Sequence, residues 1–257
     1  MKILLSNDDG IRAPGLWALA EGLKGTGEVV VVAPDRDQSG VGTSVTLHHP
    51  LRMRRARSLA EGVSAYNVEG TPADSVILAL RLPLVEDVGL VVSGANEGAN
   101  LGDDILISGT VSAALQGYFY GIPSIAIAIA DTEDLKFDAA ARIASMIAQK
   151  VAEESWSERF LLNINLPNLP AAEIEGVELT RPGRRFYRDE IQEGHDGKRE
   201  YYWLVRGDTQ WHNEQGTDIW AVRQQMVSIS ALMGDLHSPE HSSFLDGLCP
   251  WLLQCLR

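Results

Sequence analysis

KILLSNDDGIRAPGLWALAEGLKGTGEVVVVAP, residues 2–34, decides the fold class. Lys2 to Ser6 is a short apolar run that stops at a polar turn, as a strand does. Leu16, Leu19, Ala20 and Leu23 then fall at i, i+3, i+4 and i+7, one face of a helix, and Pro14 suits its first turn. Glu28 to Ala33 reads EVVVVA with no polar alternation, the pattern of a strand buried on both faces. Strand, helix and strand in this order predict an α/β fold whose mostly parallel sheet carries helices on both faces.

The same alternation continues down the chain. Gly89–Ser93, Ser124–Ala130 and Phe160–Leu166 read as further buried strands, while Val111, Ala114, Leu115 and Tyr118 mark one helix and Leu135–Val151 another. Thr71-Pro72-Ala73-Asp74 predicts a helix over 72–81, with Thr71 as N-cap, Pro at the first position and an acid placed for a capping box. From Thr180 to Asp208 the composition turns charged and aromatic around a turn at His195-Asp196-Gly197, which predicts an extended hairpin without a core of its own. Tyr201, Tyr202 and Trp203 would be poorly buried there, so the arm is expected to pack on a partner subunit. Leu248, Trp251, Leu252 and Cys255 follow Phe244 at helical spacing, with Pro250 expected to kink or split the closing helix. The division expected is a core over 1–178 and a C-terminal arm over 179–257 made of hairpin, strand and helix.

With 257 residues, one domain or one plus an appendage is expected, and 45% apolar with 22% charged residues is an ordinary globular composition. The net charge of −13 disfavours nucleic-acid duplexes and anionic membranes as partners, yet it still permits small phosphorylated substrates if a metal ion reverses the local sign. Cys249 and Cys255 alone build neither a disulfide framework nor a zinc site, and no run is long enough for a signal peptide or a membrane span, so a cytoplasmic location is expected.

Three stretches carry candidate chemistry. Asn7-Asp8-Asp9-Gly10 follows the first strand, and ligands of open α/β sheets bind beyond the carboxyl ends of strands. Two carboxylates at about 4 Å repel by about 4 kcal/mol at an effective dielectric near 20, so a hard divalent cation such as Mg²⁺ or Mn²⁺ would stabilise them. A solvated helix-entry turn accounts for this motif equally well. The loop over 35–44, DRDQSGVGTS, can offer Ser39 and backbone N–H groups; it matches neither a P-loop nor G-x-G-x-x-G. Asp35 and Asp37 there admit an aspartyl-phosphate mechanism, which ranks below. Over 93–110, SGANEGANLGDDILISGT, Asn96 can present an amide oxygen to a cation, and Ser108, Gly109 and Thr110 open a helix suited to phosphate. The bland account makes those glycines turn formers and Thr110 an N-cap. His237 and His241 stand four apart but lack the companions of a zinc site, and His48-His49 has no evident partner.

Taken together, NDDG, APDRDQSGVGTSVT, NVEGTPADSV, SGANEGANLGDDILISGTVSAA, TRPGRRFY, and GTDIWAV followed by VSISAL resemble the SurE family of stationary-phase survival nucleotidases along nearly the whole chain. The resemblance implies a Rossmann-like three-layer core, an exchanged C-terminal arm in a homodimer or homotetramer, and a metal-dependent phosphatase. Its implied substrates are 5′- and 3′-nucleoside monophosphates and sometimes polyphosphate. By position it implies Asp8, Asp9, Ser39 and Asn96 as ligands of one divalent metal ion per subunit, Mg or Mn, with Asp8 and Asp9 central to catalysis. It implies Asn100, Ser108, Gly109 and Thr110 as the phosphate-side wall. A non-catalytic nucleotide or metal sensor, and a purely structural oligomer built by the arm, are the competing expectations.

Overall fold

The structure, a computed structural model, describes residues 1–83, 85–153, 158–211, 213–235 and 248–256, with the backbone alone at 185–189, 206–211, 249 and 250. His237, His241 and Phe244 lie outside the described residues. The opening stretch forms β1 (Lys2–Ser6), α1 (Pro14–Leu23) and β2 (Glu28–Pro34), as its apolar spacing predicts. There follow β3 (Met53–Arg55), β4 (Ser64–Val68), α2 (Pro72–Arg81), β5 (Val88–Glu97), α3 (Gly109–Phe119), β6 (Ser124–Ile129), α4 (Asp138–Ala152) and β7 (Leu161–Leu166). The chain continues as β8 (Gly176–Thr180), β9 (Arg185–His195), β10 (Glu200–Trp211), α5 (Asp218–Arg223), β11 (Met226–Leu232) and α6 (Leu248–Cys255).

Nine strands form one sheet in the order β3-β4-β2-β1-β5-β6-β7-β11-β8. All pairs are parallel except β3 with β4 and β11 with β7. The α/β class with its mostly parallel sheet therefore stands. Strand alternation sorts the central side chains between two helical layers. Ile3 and Leu5 of β1 pack in one apolar cluster with Leu16, Leu19 and Ala144 of α1 and α4. Leu4, pointing the other way, packs with Val76 of α2 and Ala113 of α3. Each such side chain, fully buried, contributes about 1.5–3 kcal/mol.

This order places the switch point between β1 and β5: the chain leaves β1 towards β2 and β4, then crosses back to add β5, β6 and β7 on the other side. Loops diverge there, so a crevice opens beyond the carboxyl ends of β1 and β5. A bulge in β5 shapes its end, since Ser93 pairs with Ala126 but Asn96 pairs with Ala128. Gly94 makes the bulge possible: its φ is +133°, and a Cβ there would lie 2.2 Å from the Ile127 carbonyl oxygen.

One expectation needs correction. The boundary at 178/179 falls inside β8, and β11 after it belongs to the core sheet, inserted between β7 and β8. The polar spacing of MVSISAL hid this, because Ser228 and Ser230 are buried and share hydrogen bonds of 2.8 Å with Thr180 rather than facing water. Among the described residues only β9 and β10 form a sheet of their own. Pro250 lies in α6, and the part of the closing segment before Leu248, where a split would show, falls outside the described residues.

Among the described residues no helix is long and apolar enough to cross a membrane. The capping box at α2 is complete, with the Thr71 hydroxyl accepting from Asp74 N–H and the Asp74 carboxylate accepting from Thr71 N–H. Asp74 also accepts from the backbone and hydroxyl of Thr46, tying the 39–50 loop to the core. Thr71→Ala is expected to lower stability by about 1–2 kcal/mol, read as a shift of the urea midpoint at unchanged slope.

Candidate metal and phosphate site

β1 delivers its chemistry through a closed turn. Asn7 Nδ2 donates to the Gly10 carbonyl at 3.0 Å, and Gly10, at φ +94°, lies so close to Arg36 that a Cβ would meet its carbonyl carbon at 2.9 Å. The Asp8 carbonyl accepts from Gln38 N–H at 2.8 Å, which binds the turn to the loop after β2. Asp8 is thereby held at 4% exposure with its carboxylate facing the end of β5.

Thr110 joins the two strand ends, since its hydroxyl donates to Asp8 Oδ1 and also lies 3.1 Å from Asn96 Oδ1. One hydroxyl has a single proton, so the two oxygens cannot both be satisfied. Asn96 Nδ2 donates to the Gly98 carbonyl at 2.7 Å, which fixes the amide so that Oδ1 faces Asp8 and Thr110. Burial raises the pKa of Asp8, partly opposed by the Thr110 hydrogen bond. Burial, followed by the charges of Asp8 and Glu97, pushes Asp9 up to about 8. Asp9 Oδ2 is buried and makes no hydrogen bond. One buried and one half-buried acid, an orphan carboxylate oxygen and an amide oxygen suit a hard, oxygen-seeking divalent cation. Among the described residues no group of three or more His, Cys, Asp or Glu side chains is placed to hold a metal ion, so any cation here would draw on amide and hydroxyl oxygens as well.

Asp8, Ser39, Asn96, Asn100 and Ser108 line one cavity of about 250 Å³. The Ser39 N–H and hydroxyl both donate to Asp37 Oδ1, at 2.8 and 2.6 Å, which leaves the Ser39 oxygen free to accept or coordinate. Asp37 is therefore engaged as an anchor, and neither it nor Asp35 lines the cavity. Glu97 and Asp104 do line it, so the wall is acidic and would repel phosphate unless a cation reverses the sign. Asp9 sits behind Asp8 rather than on the wall, with the Glu97 backbone as its hydrogen-bond partner.

The expected phosphate-side wall divides in two. Asn100 and Ser108 face the cavity, whereas Gly109 and Thr110 do not. Gly109 is the point where α3 touches Asp8: a Cβ there would lie 2.7 Å from Asp8 Cβ. Thr110 is fully buried behind the acids and acts on Asp8 and Asn96. Ser108 caps α3, its hydroxyl oxygen accepting from Val111 N–H at 3.1 Å. Asn100 Nδ2 is buried without a partner, a donor left for an anion.

Three positioning residues carry no role in the sequence reading. Asn163 and Asn165 sit two apart on β7 and so point the same way; Asn165 Oδ1 accepts from Asn100 N–H, and both amides donate to the Asn100 carbonyl at 2.8 and 3.1 Å. The two amides in FLLNINL were the signal, since polar side chains inside a fully buried strand require a partner. Asp218, fully buried at the start of α5, accepts from the backbone N–H groups of Gly102, Gly183 and Ile219, each at 2.8 Å. It thereby ties the 98–108 loop to the base of the hairpin. Another hollow, about 1110 Å³ between α1, α4 and residues 169–172, contains none of these groups.

A family model described as "Survival protein SurE" matches residues 3–189, well over half of the chain. Similar curated proteins include "5'-nucleotidase SurE" of Dehalococcoides mccartyi, 50% identical over 234 residues, which are 90% of this chain and 88% of that protein. "5'-nucleotidase SurE" of Aquifex aeolicus is 46% identical over 236 residues, 91% of this chain and 92% of the relative. The crystal structure of the SurE protein from Aquifex aeolicus superposes with a TM-score of 0.78 at 42% identity, covering 99% of this chain and 100% of that one. Sequence and fold agree over nearly the whole length, and the chain belongs to the SurE family.

Proposed function

We propose that this protein is a divalent-metal-dependent phosphatase that hydrolyses nucleoside 5′- and 3′-monophosphates to nucleoside and phosphate. The observation that carries the reading is that Asp8, Ser39 and Asn96 line one small cavity, with Asp9 next to Asp8 and the carboxyls of both acids shifted upward, chiefly by burial. The relatives' name, 5'-nucleotidase SurE, supports the same reaction class and the nucleotide substrate.

Asp8, Asp9, Ser39 and Asn96 are the residues that would hold one Mg²⁺ or Mn²⁺. When bound, the ion supplies a Lewis acid for the phosphoryl group. Thr110 holds the carboxylate of Asp8 and the Gly98 carbonyl holds the amide of Asn96, so little reorganisation would be needed on loading. Asn100 and Ser108 line the cavity, and in this reading their amide and hydroxyl would donate to phosphoryl oxygens, with the positive end of α3 beside them. Because charge in phosphoryl transfer spreads over the equatorial oxygens, positioning and electrostatics of this kind carry most of the catalysis.

We further propose that the hairpin and α6 pack on another copy of the chain, giving a homodimer or homotetramer. Tyr202, Trp203 and Leu204 are 59, 65 and 72% exposed, and Trp251 of α6 is 58% exposed, which is costly to leave in water. The proposed compartment is the reducing cytoplasm, in keeping with only two cysteines.

Asp8→Asn and Asp9→Asn are each expected to cut phosphate release from nucleoside monophosphates at least about 100-fold, the loss of roughly 3 kcal/mol of transition-state stabilisation. Near-normal turnover in either folded variant would remove that residue from the site. EDTA should abolish activity, with Mn²⁺ or Mg²⁺ restoring it; activity indifferent to chelation would leave the metal without a part in the reaction.

The Asp9 shift sets a pH dependence. In the cation-free fold Asp9 keeps its proton up to about pH 8, whereas unfolded it ionises in the ordinary carboxylate range, so stability falls as pH rises between those limits. A cation must displace that proton, and Mn²⁺ affinity measured by calorimetry should rise from pH 6 to pH 8 by up to about tenfold per unit, then level off. Affinity flat across this range would place Asp9 outside the ligand set.

For the arm, paired Tyr202→Glu and Trp203→Glu changes should shift light-scattering mass towards a smaller species. Unchanged mass would show that the arm does not hold the assembly together.

A further inference from the structure

The charged side chains on the wall of the acidic cavity all carry one sign. Asp8, Glu97 and Asp104 line it, and among the described residues no Lys, Arg or His joins them there. Asp8 and Asp104 are 4 and 5% exposed, whereas Glu97 stands exposed at the last position of β5. We propose that Glu97 is a specificity-determining residue: its carboxylate at the cavity mouth admits phosphate esters of neutral alcohols and rejects those whose leaving group is an anion. The inference rests on the nucleotidase reading and narrows its substrate class. A nucleoside departs from its monophosphate as a neutral alcohol, whereas a nucleoside diphosphate or a polyphosphate expels a phosphate.

The three acids differ in what already occupies them. In the proposed site Asp8 and Asp9 hold the cation, whose two charges offset theirs. Asp104 is buried in the turn after Leu101, where its N–H donates to the Leu101 carbonyl and its own carbonyl accepts from Ile107 N–H, each at 3.1 Å. Glu97 is exposed and, among the described residues, enters no ion pair, so its charge stands uncompensated at the mouth. Asp131 and Arg223, on the far side of Gly98 and Ala99, bring opposite charges to a neighbouring hollow and leave that balance unchanged.

Placement is equally specific. Glu97 directly follows Asn96, and its backbone is held in the sheet: it pairs with Ile129 of β6, and the next N–H, that of Gly98, donates to the Ile129 carbonyl at 3.0 Å. A rigid strand end therefore carries the carboxylate. Its charge is felt inside the site, since Glu97 follows burial and Asp8 among the causes that raise Asp9. The cavity itself, at about 250 Å³, is smaller than the clefts that enclose small organic molecules, so a leaving group extends past the mouth where Glu97 stands. A second negative charge there meets a carboxylate beside low-dielectric walls, where like charges repel more strongly than in bulk water. A neutral alcohol meets no such repulsion.

The test uses two small esters on enzyme saturated with Mn²⁺: ethyl phosphate, which releases a neutral alcohol, and phosphoglycolate, which releases a carboxylate. Glu97→Gln is expected to lower the ratio of kcat/KM for ethyl phosphate to kcat/KM for phosphoglycolate at least about fivefold, and Glu97→Lys to lower it further. Glu28→Gln removes the same charge from an exposed position at the opposite end of the sheet, where β2 begins, and should leave the ratio unchanged. The wild-type ratio should also fall as KCl rises from about 0.05 to about 0.5 M, because an exposed carboxylate is screened by salt. A ratio that neither Glu97 variant lowers, or that Glu28→Gln lowers as much, overturns the role of Glu97, as does a wild-type ratio indifferent to salt. Where adenosine 5′-monophosphate is still hydrolysed, those outcomes overturn Glu97 alone. Wild-type enzyme that releases phosphate from none of the three esters overturns the nucleotidase reading and Glu97 together.

Discussion

Two carboxylates are placed where water cannot reach both, and the rest of the site follows from that constraint. Asp8 is almost fully buried, and Asp9 behind it has an oxygen with no hydrogen-bond partner. Burial favours their neutral forms and proximity disfavours charging both. Such an arrangement costs folding energy unless a cation offsets it, which is why the neutral oxygens of Asn96 and Ser39 and the single proton of Thr110 matter. In the proposed site they would supply coordination and orientation without adding charge.

The sheet explains why these groups meet at all. β1 and β5 are neighbours only because the chain crosses over after α2, and the crevice at that crossing is lined by segments far apart in sequence. Rigid parts hold the geometry. Gly109 lets α3 approach Asp8, the bulge at Gly94 aims Asn96, and the paired amides of β7 clamp the Asn100 backbone. Asp218 extends the same network to the base of the hairpin, so the arm and the phosphate-side loop are anchored on one buried carboxylate. Packing of the arm on another subunit would thus bear on a segment that also bears on the cavity.

Much of this was legible in the residues. The apolar spacing of 2–34 predicts β1, α1 and β2 almost to the residue, and Thr71-Pro72-Ala73-Asp74 predicts a capping box that forms in full. Local rules suffice where an element is decided by its own periodicity or its own cap. They fail at β11, whose buried serines both hydrogen-bond to Thr180 of the neighbouring strand and so imitate a solvated segment.

For the site, sequence alone determined which side chains have the right chemistry: paired acids after a strand, an amide after another, hydroxyls at a helix start. Tertiary structure decided how they divide the work. Thr110 and Gly109, read as phosphate wall, stand behind Asp8 instead, and Asn163, Asn165 and Asp218, read as nothing in particular, hold the wall in place. Side-chain chemistry is a property of single residues and survives in the linear string. Which face of a cavity a residue occupies depends on partners about 65 to 116 positions away, and only the folded chain brings those together.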